Sequence, residues 1–322
     1  MLALAACGGE ATEYRLGMAG PFSEGFGLAN RRGAELALEQ INAAGGIDGR
    51  TLHLEFRDDS GDGSKAAAIA QEFVDDARIS GVVGHVTSGA MVAAAKVYDG
   101  QLAALATTAS SAELTGISRW AFRVISSDSA NGVDLARFAE RLGKRRAYVL
   151  YENDAYGRGL ADAFRRTFKG EVLGFDPIDA EGRDAAVFVE WAAAQRADLV
   201  FVAGTERSGL ALLRAARAAG FTADFLGGDG WTGVVTDAAV AEGALVGAPF
   251  TARDPRPEAQ RFVTAFREKF GVEPDGNAAL AYDAVQVMAA ALRATGGERA
   301  ALRDWLASRT TRSPIPGVTG SI

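Results

Sequence analysis

Cysteine and histidine are nearly missing from this sequence: one Cys and two His among 322 residues. One Cys excludes an internal disulfide and any cysteine cluster for zinc or iron–sulfur. Two His leave little for a metal centre or for acid–base chemistry. Proline is scarce, with 8 residues, whereas glycine is abundant, with 39. The glycines show no three-residue period, so a collagen-like chain is excluded and they read as turn punctuation. A basic excess is also lacking. Lys and Arg number 34 against 41 Asp and Glu, for a net charge of −7. Without a basic face, nucleic-acid binding is disfavoured. No apolar run reaches the roughly 18 residues that a membrane-crossing helix needs. What is present is a hydrophobic fraction of 48 %, ample for a core. The length suggests two domains at roughly 100–200 residues each.

Short apolar runs alternate with amphipathic stretches along most of the chain. Strands are expected at 14–20, 51–57, 79–84 and 102–106, with helices at 28–43, 64–77 and 89–98 between and after them. A second series has helices at 128–142, 156–168, 184–194 and 206–219. Its strands are expected at 146–151, 171–176, 198–203 and 224–227. Tyr148-Val149-Leu150-Tyr151 and Leu199-Val200-Phe201-Val202 are almost continuously apolar, as strands buried on both faces are. The alternation predicts an α/β fold with parallel sheets covered by helices. From Glu258 the pattern is helical: 258–270, 277–294 and 298–308. Open α/β sheets bind ligands beyond the carboxyl ends of their strands, so functional residues should follow strands.

Several motifs invite a function. Gly228-Asp229-Gly230-Trp231-Thr232-Gly233 matches GxGxxG, but it falls late and Trp231 would crowd a pyrophosphate; a glycine-rich loop is the simpler reading. Asp58-Asp59-Ser60-Gly61-Asp62-Gly63 resembles half a calcium loop. Its twelfth position is Ile69, where a bidentate Glu is required, so a polar turn with Asp62 or Ser64 capping the next helix is expected. His85 and Ser88 follow an apolar strand, yet no GxSxG elbow accompanies them, which disfavours a hydrolase. Ser88 reads either as a plain helix cap or as part of an anion site at a helix N-terminus. Thr107 through Thr115 is a second hydroxyl cluster after a strand. Asp128, Asp154 and Asp229 lie at strand-to-helix junctions, as caps or as site acids. Phe26, Tyr156 and Trp231 are aromatics beside glycines in loops. No catalytic residue, metal or cofactor is assigned.

Met1 to Gly9 read Met-Leu-Ala-Leu-Ala-Ala-Cys-Gly-Gly, and Leu4-Ala5-Ala6-Cys7 resembles a bacterial lipobox. Cys7 is then the expected lipidation site, with residues 1–13 as signal remnant and linker. Further blocks, in order and at spacing, resemble the type I periplasmic substrate-binding proteins of ABC transporters, in the branched-chain amino acid receptor family. They are Gly20-Pro21-Phe22-Ser23, Ile41-Asn42-Ala43-Ala44-Gly45-Gly46-Ile47-Asp48-Gly49, Asp58-Asp59, Val83-Gly84-His85 through Ser88-Gly89, Glu113-Leu114-Thr115, Phe122-Arg123, Tyr156-Gly157-Arg158-Gly159-Leu160-Ala161, Gly228-Asp229-Gly230 and Ala281-Tyr282-Asp283-Ala284-Val285.

The resemblance implies two Rossmann-like lobes joined by three crossovers, near 126–129, 250–254 and 313–317, closing on a ligand like a flytrap. Lobe 1 would comprise 14–126 plus 254–312, and lobe 2 would comprise 127–253 plus 313–322. It implies that Ser88, Ser110 and the backbone around Thr108 hold a ligand α-carboxylate, and that Asp229 faces the α-ammonium. Asp128 is the acid at the first crossover. Thr205 stands where an aromatic can occur in the family, and Phe26, Tyr156 and Trp231 would cover the ligand side chain. The implied protein is a monomeric solute receptor, not an enzyme, periplasmic or at the cell surface and lipid-anchored. It would carry a small amino acid or related compound to an ABC permease. The same scaffold also admits an aromatic carboxylate or amide, or a sensor without transport. By comparison with the family's blocks, 322 residues are expected to be short at both ends.

Overall fold

The computed structural model describes residues 13–309 and 313–322; Cys7 and the lipobox lie outside them. In the first series, β1 (Glu13–Gly20), α1 (Gly25–Ala43), β2 (Thr51–Asp58), α2 (Gly63–Asp75), β3 (Ile79–Gly84), α3 (Ser88–Tyr98), β4 (Ala104–Ala106) and β5 (Ala121–Arg123) follow one another. The second series is α4 (Asp128–Arg141), β6 (Arg146–Glu152), α5 (Ala155–Thr167), β7 (Glu171–Ile178), α6 (Ala185–Ala194), β8 (Leu199–Ala203), α7 (Glu206–Ala218), β9 (Asp224–Gly227), α8 (Ala238–Ala241) and β10 (Leu245–Val246). The chain ends in α9 (Pro257–Phe270), α10 (Gly276–Thr295), α11 (Arg299–Ala307) and a hairpin of β11 (Pro316–Gly317) and β12 (Gly320–Ser321).

Two five-stranded sheets result, with orders β2-β1-β3-β4-β5 and β10-β9-β8-β6-β7. Every strand pairing within them is parallel. Read from β7, the second sheet repeats the winding of the first. Parallel strands must be covered on both faces. All five residues of β8 are accordingly buried, with the Phe164 and Phe201 rings stacked at 3.9 Å. In each sheet the winding reverses between two central strands, β1/β3 in one and β6/β8 in the other. A crevice for a ligand opens beyond the carboxyl ends at such a switch point.

The late helices complete the first unit, not the second. Val285, Met288, Leu302 and Leu306 share a core with Leu16, Leu54 and Leu105. Helices α1 and α10 approach so closely that a Cβ on Gly33 would lie 2.0 Å from the Ala278 carbonyl oxygen. The sheets change between Arg123 and Asp128, and the chain leaves the second sheet after Val246.

Three expectations need correction, and two short strands had none. Strand 102–106 shortens to Ala104–Ala106. The glycine-rich stretch Asp229–Asp237 is a 3₁₀ segment, not an open loop. Strands β5 and β10 have three and two residues, too short for any periodicity to show. Residues 313–322, expected with lobe 2, do not join the second sheet. Their hairpin is held by Asp283 of α10, whose carboxylate accepts from the Val318 N–H at 2.8 Å, the Thr319 N–H at 2.9 Å and the Thr319 hydroxyl at 2.6 Å. Arg256 donates to the Gly317 and Val318 carbonyls.

Candidate functional site

Residues from both switch points meet between the sheets. Beyond β3, the backbone turns through His85 to α3. Thr87, not Ser88, is its N-cap, and Thr87 makes no side-chain cap bond. Ser88 is the first helical residue, buried, and its Oγ accepts from the Ser110 N–H at 3.2 Å and the Ser111 N–H at 3.1 Å. The two hydroxyl loops are thus one unit. Thr108 Oγ1 donates to the Val86 carbonyl at 2.8 Å and fastens it further. Ser110 is fully buried, and its own hydroxyl has no partner.

Asp128 opens α4 directly opposite. Its N–H donates to the Ser110 carbonyl at 2.9 Å, joining the two sheet units. Its side chain is 0 % exposed, yet neither carboxylate oxygen has a hydrogen-bond partner. Burial, and next the Asp229 carboxylate, push its pKa up to about 8. Asp229, two residues beyond β9, is pushed up to about 6 by burial, opposed by hydrogen bonds. Tyr156, in the first turn of α5, donates to Asp229 Oδ1 at 3.2 Å and accepts from the Gly230 N–H at 3.0 Å. A burial cost met by so few partners is large for a carboxyl, and a donor set against this wall would offset it.

The structure brings Ser88, Thr108, Ser110, Asp128, Tyr156 and Asp229 together. Thr205 is at the same rim as the N-cap of α7, but its hydroxyl and N–H are both spent on Glu152 Oε1 at 2.8 Å. Phe26 is half-buried in the first turn of α1. Trp231 is a correction. It is 0 % exposed inside the second unit's core, where a Cβ on Gly227 or Gly209 would collide with its indole at 2.2 and 2.6 Å. The flanking glycines make room for a core ring, not for a ligand.

Sequence reasoning gave no role to two groups. Glu152 ends β6 buried, and Oε1 also accepts from the Ser208 hydroxyl at 2.7 Å, tying the start of α7 to the end of β6. Arg123 donates to the Ser111 carbonyl at 2.9 Å and the Thr115 hydroxyl at 2.7 Å, which fixes the Ser110 loop; burial lowers its pKa. A charged residue closing an apolar strand was the only available signal for either.

The competing motifs resolve. His85 is fully buried with Nδ1 2.7 Å from Asp59 Oδ2 and Nε2 3.0 Å from the Tyr98 hydroxyl, so neither ring nitrogen is directed at Ser88. Asp62 caps α2 through the Lys65 N–H at 2.8 Å, as the polar-turn reading expects. Among the described residues no cluster of His, Cys, Asp and Glu could hold a metal, and no helix is long and apolar enough to cross a membrane.

An amino acid binding protein of Pseudomonas aeruginosa is 33 % identical over 325 residues, spanning 95 % of this chain and 84 % of its own. A substrate-binding protein of an ABC transporter from Desulfitobacterium hafniense, solved in complex with Leu, superposes with a TM-score of 0.82 at 33 % identity, covering 96 % of this chain and 92 % of that one. The branched-chain amino acid transporter substrate-binding protein of Streptococcus pneumoniae, solved with isoleucine, gives 0.87 at 28 % identity, covering 96 % and 91 %. The sequence profile of the periplasmic binding proteins matches residues 15–321. Running from the first strand of one sheet through both switch points to the terminal hairpin, that match makes the chain a member of the periplasmic binding protein family.

Proposed function

We propose that this chain is an extracytoplasmic solute receptor. It binds a small amino acid or close relative between its lobes and delivers it to an ABC permease, without catalysing a reaction. The observation that carries the reading is Asp128: a wholly buried carboxyl that makes no well-formed hydrogen bond and has only the Ser110 hydroxyl beside it. A zwitterion answers both needs. Its carboxylate takes hydroxyl and backbone donors from the Ser88–Ser110 unit, and its ammonium takes Asp229 and Asp128. Such bonds are charge-assisted, and strengthen when closure excludes water. The relatives solved with Leu and isoleucine support this class of ligand. The aromatic-acid alternative now rests on Phe26 and Tyr156 alone, since Trp231 is core. Lobe limits near 126/127 and 253/254 belong to the same reading.

Calorimetry with leucine, isoleucine, alanine and lysine tests it. Saturable binding of at least one is expected. Asp229→Ala should weaken it at least about tenfold, or ~1.4 kcal/mol, because a buried ammonium loses its counter-charge. Unchanged affinity would remove Asp229 from the ammonium site. Anchoring through Cys7 is part of the proposal, and several acyl chains on one residue would hold the receptor firmly. Mass spectrometry of the membrane-extracted protein should show the lipid adduct; a free Cys7 thiol would end that claim.

A further inference from the structure

Two acids of the cleft lie against the start of α5. Asp128 opens α4, and Asp229 opens the 3₁₀ segment. A Cβ on Gly159 would lie 3.8 Å from Asp128 Oδ2, and the Tyr156 hydroxyl is bonded to Asp229. Asp128 faces little that could neutralise its charge. The Ser110 hydroxyl stands beside it without a well-formed bond. Arg123 of β5 is the cation that acts on it, but that guanidinium donates to the Ser110 and Ser111 carbonyls and the Thr115 hydroxyl. Asp154, the cap of α5, is a further acid, held by the Gly157 N–H at 2.7 Å. No cation is bonded to Asp128.

Two carboxylates buried together repel, so one of them keeps its proton. Asp229 has the Tyr156 hydroxyl as a donor, whereas Asp128 has no bonded donor. The proton therefore sits on Asp128. Burial, and next the Asp229 carboxylate, raise its pKa to about 8, against about 6 for Asp229. An ammonium set between the two acids reverses this balance, because it favours the ionised form of both. A cavity of about 480 Å³, whose lining includes Asp229, Ser126 and Asn131, is polar and roomy enough for water. It gives a proton a route out.

We infer that the cleft trades a proton for its ligand: Asp128 is a neutral carboxylic acid in the unliganded receptor, and an α-ammonium arriving between Asp128 and Asp229 displaces that proton to water. The Asp128 O–H bond breaks, its electron pair stays on the carboxylate oxygen, and the ammonium charge replaces the departing proton. This rests on the amino-acid reading of the cleft.

Calorimetry at about pH 7 in phosphate and in Tris tests it, with whichever of leucine, isoleucine, alanine and lysine binds most tightly. Binding should be more exothermic in Tris, by the difference between the two buffers' protonation heats for about one proton per ligand. Affinity should rise by up to about tenfold per pH unit between about pH 6 and 8, then level off. Asp128→Asn should bind with the same heat in both buffers. Equal heats in the wild type overturn the inference and leave the receptor reading intact. A buffer dependence that survives in Asp128→Asn overturns it too, since the proton then comes from another group. Binding of none of the four overturns both. If Asp128→Asn fails to fold, infrared difference spectra of the wild type decide. Ligand should remove the carbonyl band of a protonated carboxyl, and an unchanged carboxyl region overturns the inference.

Discussion

Asp128 is the residue at which stability and binding oppose one another most directly. An unfolded Asp loses its proton near pH 4, whereas in the folded chain burial and Asp229 hold it to about 8. Between those values the native state keeps a proton that the unfolded chain has released. Stability of the unliganded protein must therefore fall as pH rises through that window, by up to about 1.4 kcal/mol per pH unit for one proton. Asp229 adds to the slope only up to about pH 6. Asp128→Asn cannot ionise. Urea unfolding should show wild type weaker at pH 8 than at pH 5 and the variant flatter, and more stable than wild type at pH 8. Parallel pH profiles would refute the assignment. At residue scale, that Asp128, Asp229, Tyr156, Ser88 and Ser110 lie just beyond strands was legible in the sequence. The burial of Trp231 was not: a ring beside glycines looks the same in a cleft wall and in a core until the elements packing on it are known.

Elements of five or more residues mostly follow the sequence's periodicity, because one face of each is apolar throughout. The 3₁₀ segment and the strands of two or three residues do not, since their hydrogen bonding depends on a neighbour distant in the chain. The terminal hairpin is the clearest case. Nothing local marks Pro316–Ser321 as paired; Asp283 on α10 and Arg256 before α9 hold it. Asp283 is 1 % exposed, and Asp283→Ala would leave two backbone N–H groups without an acceptor. A loss of about 3 kcal/mol is expected in chemical denaturation, with faster hydrogen exchange at Val318 and Thr319. A change within ~0.5 kcal/mol would show that the apolar contacts of Val318 and Ile322 hold the hairpin unaided.

Over the whole molecule, two sheets with the same winding face each other at their switch points. Contacts across the seam hold them: Arg207 with Glu24 at 2.6 Å, and Asn277 donating to Thr232 at 3.0 Å. The first pair is exposed and the second part-buried; each is worth little, on the order of 1 kcal/mol, so a ligand that bonds both sides can decide between open and closed forms. The sequence by itself determined the α/β class, the two series of strands and helices, and which post-strand loops carry polar groups, because these are written in local period and composition. That the late helices cover the first sheet was implied by the family resemblance and not by local pattern, whereas that Trp231 is core and that Thr205 is tied to Glu152 were decided only by tertiary structure. Each depends on residues far apart in the chain coming into contact, and local pattern has no access to such contacts.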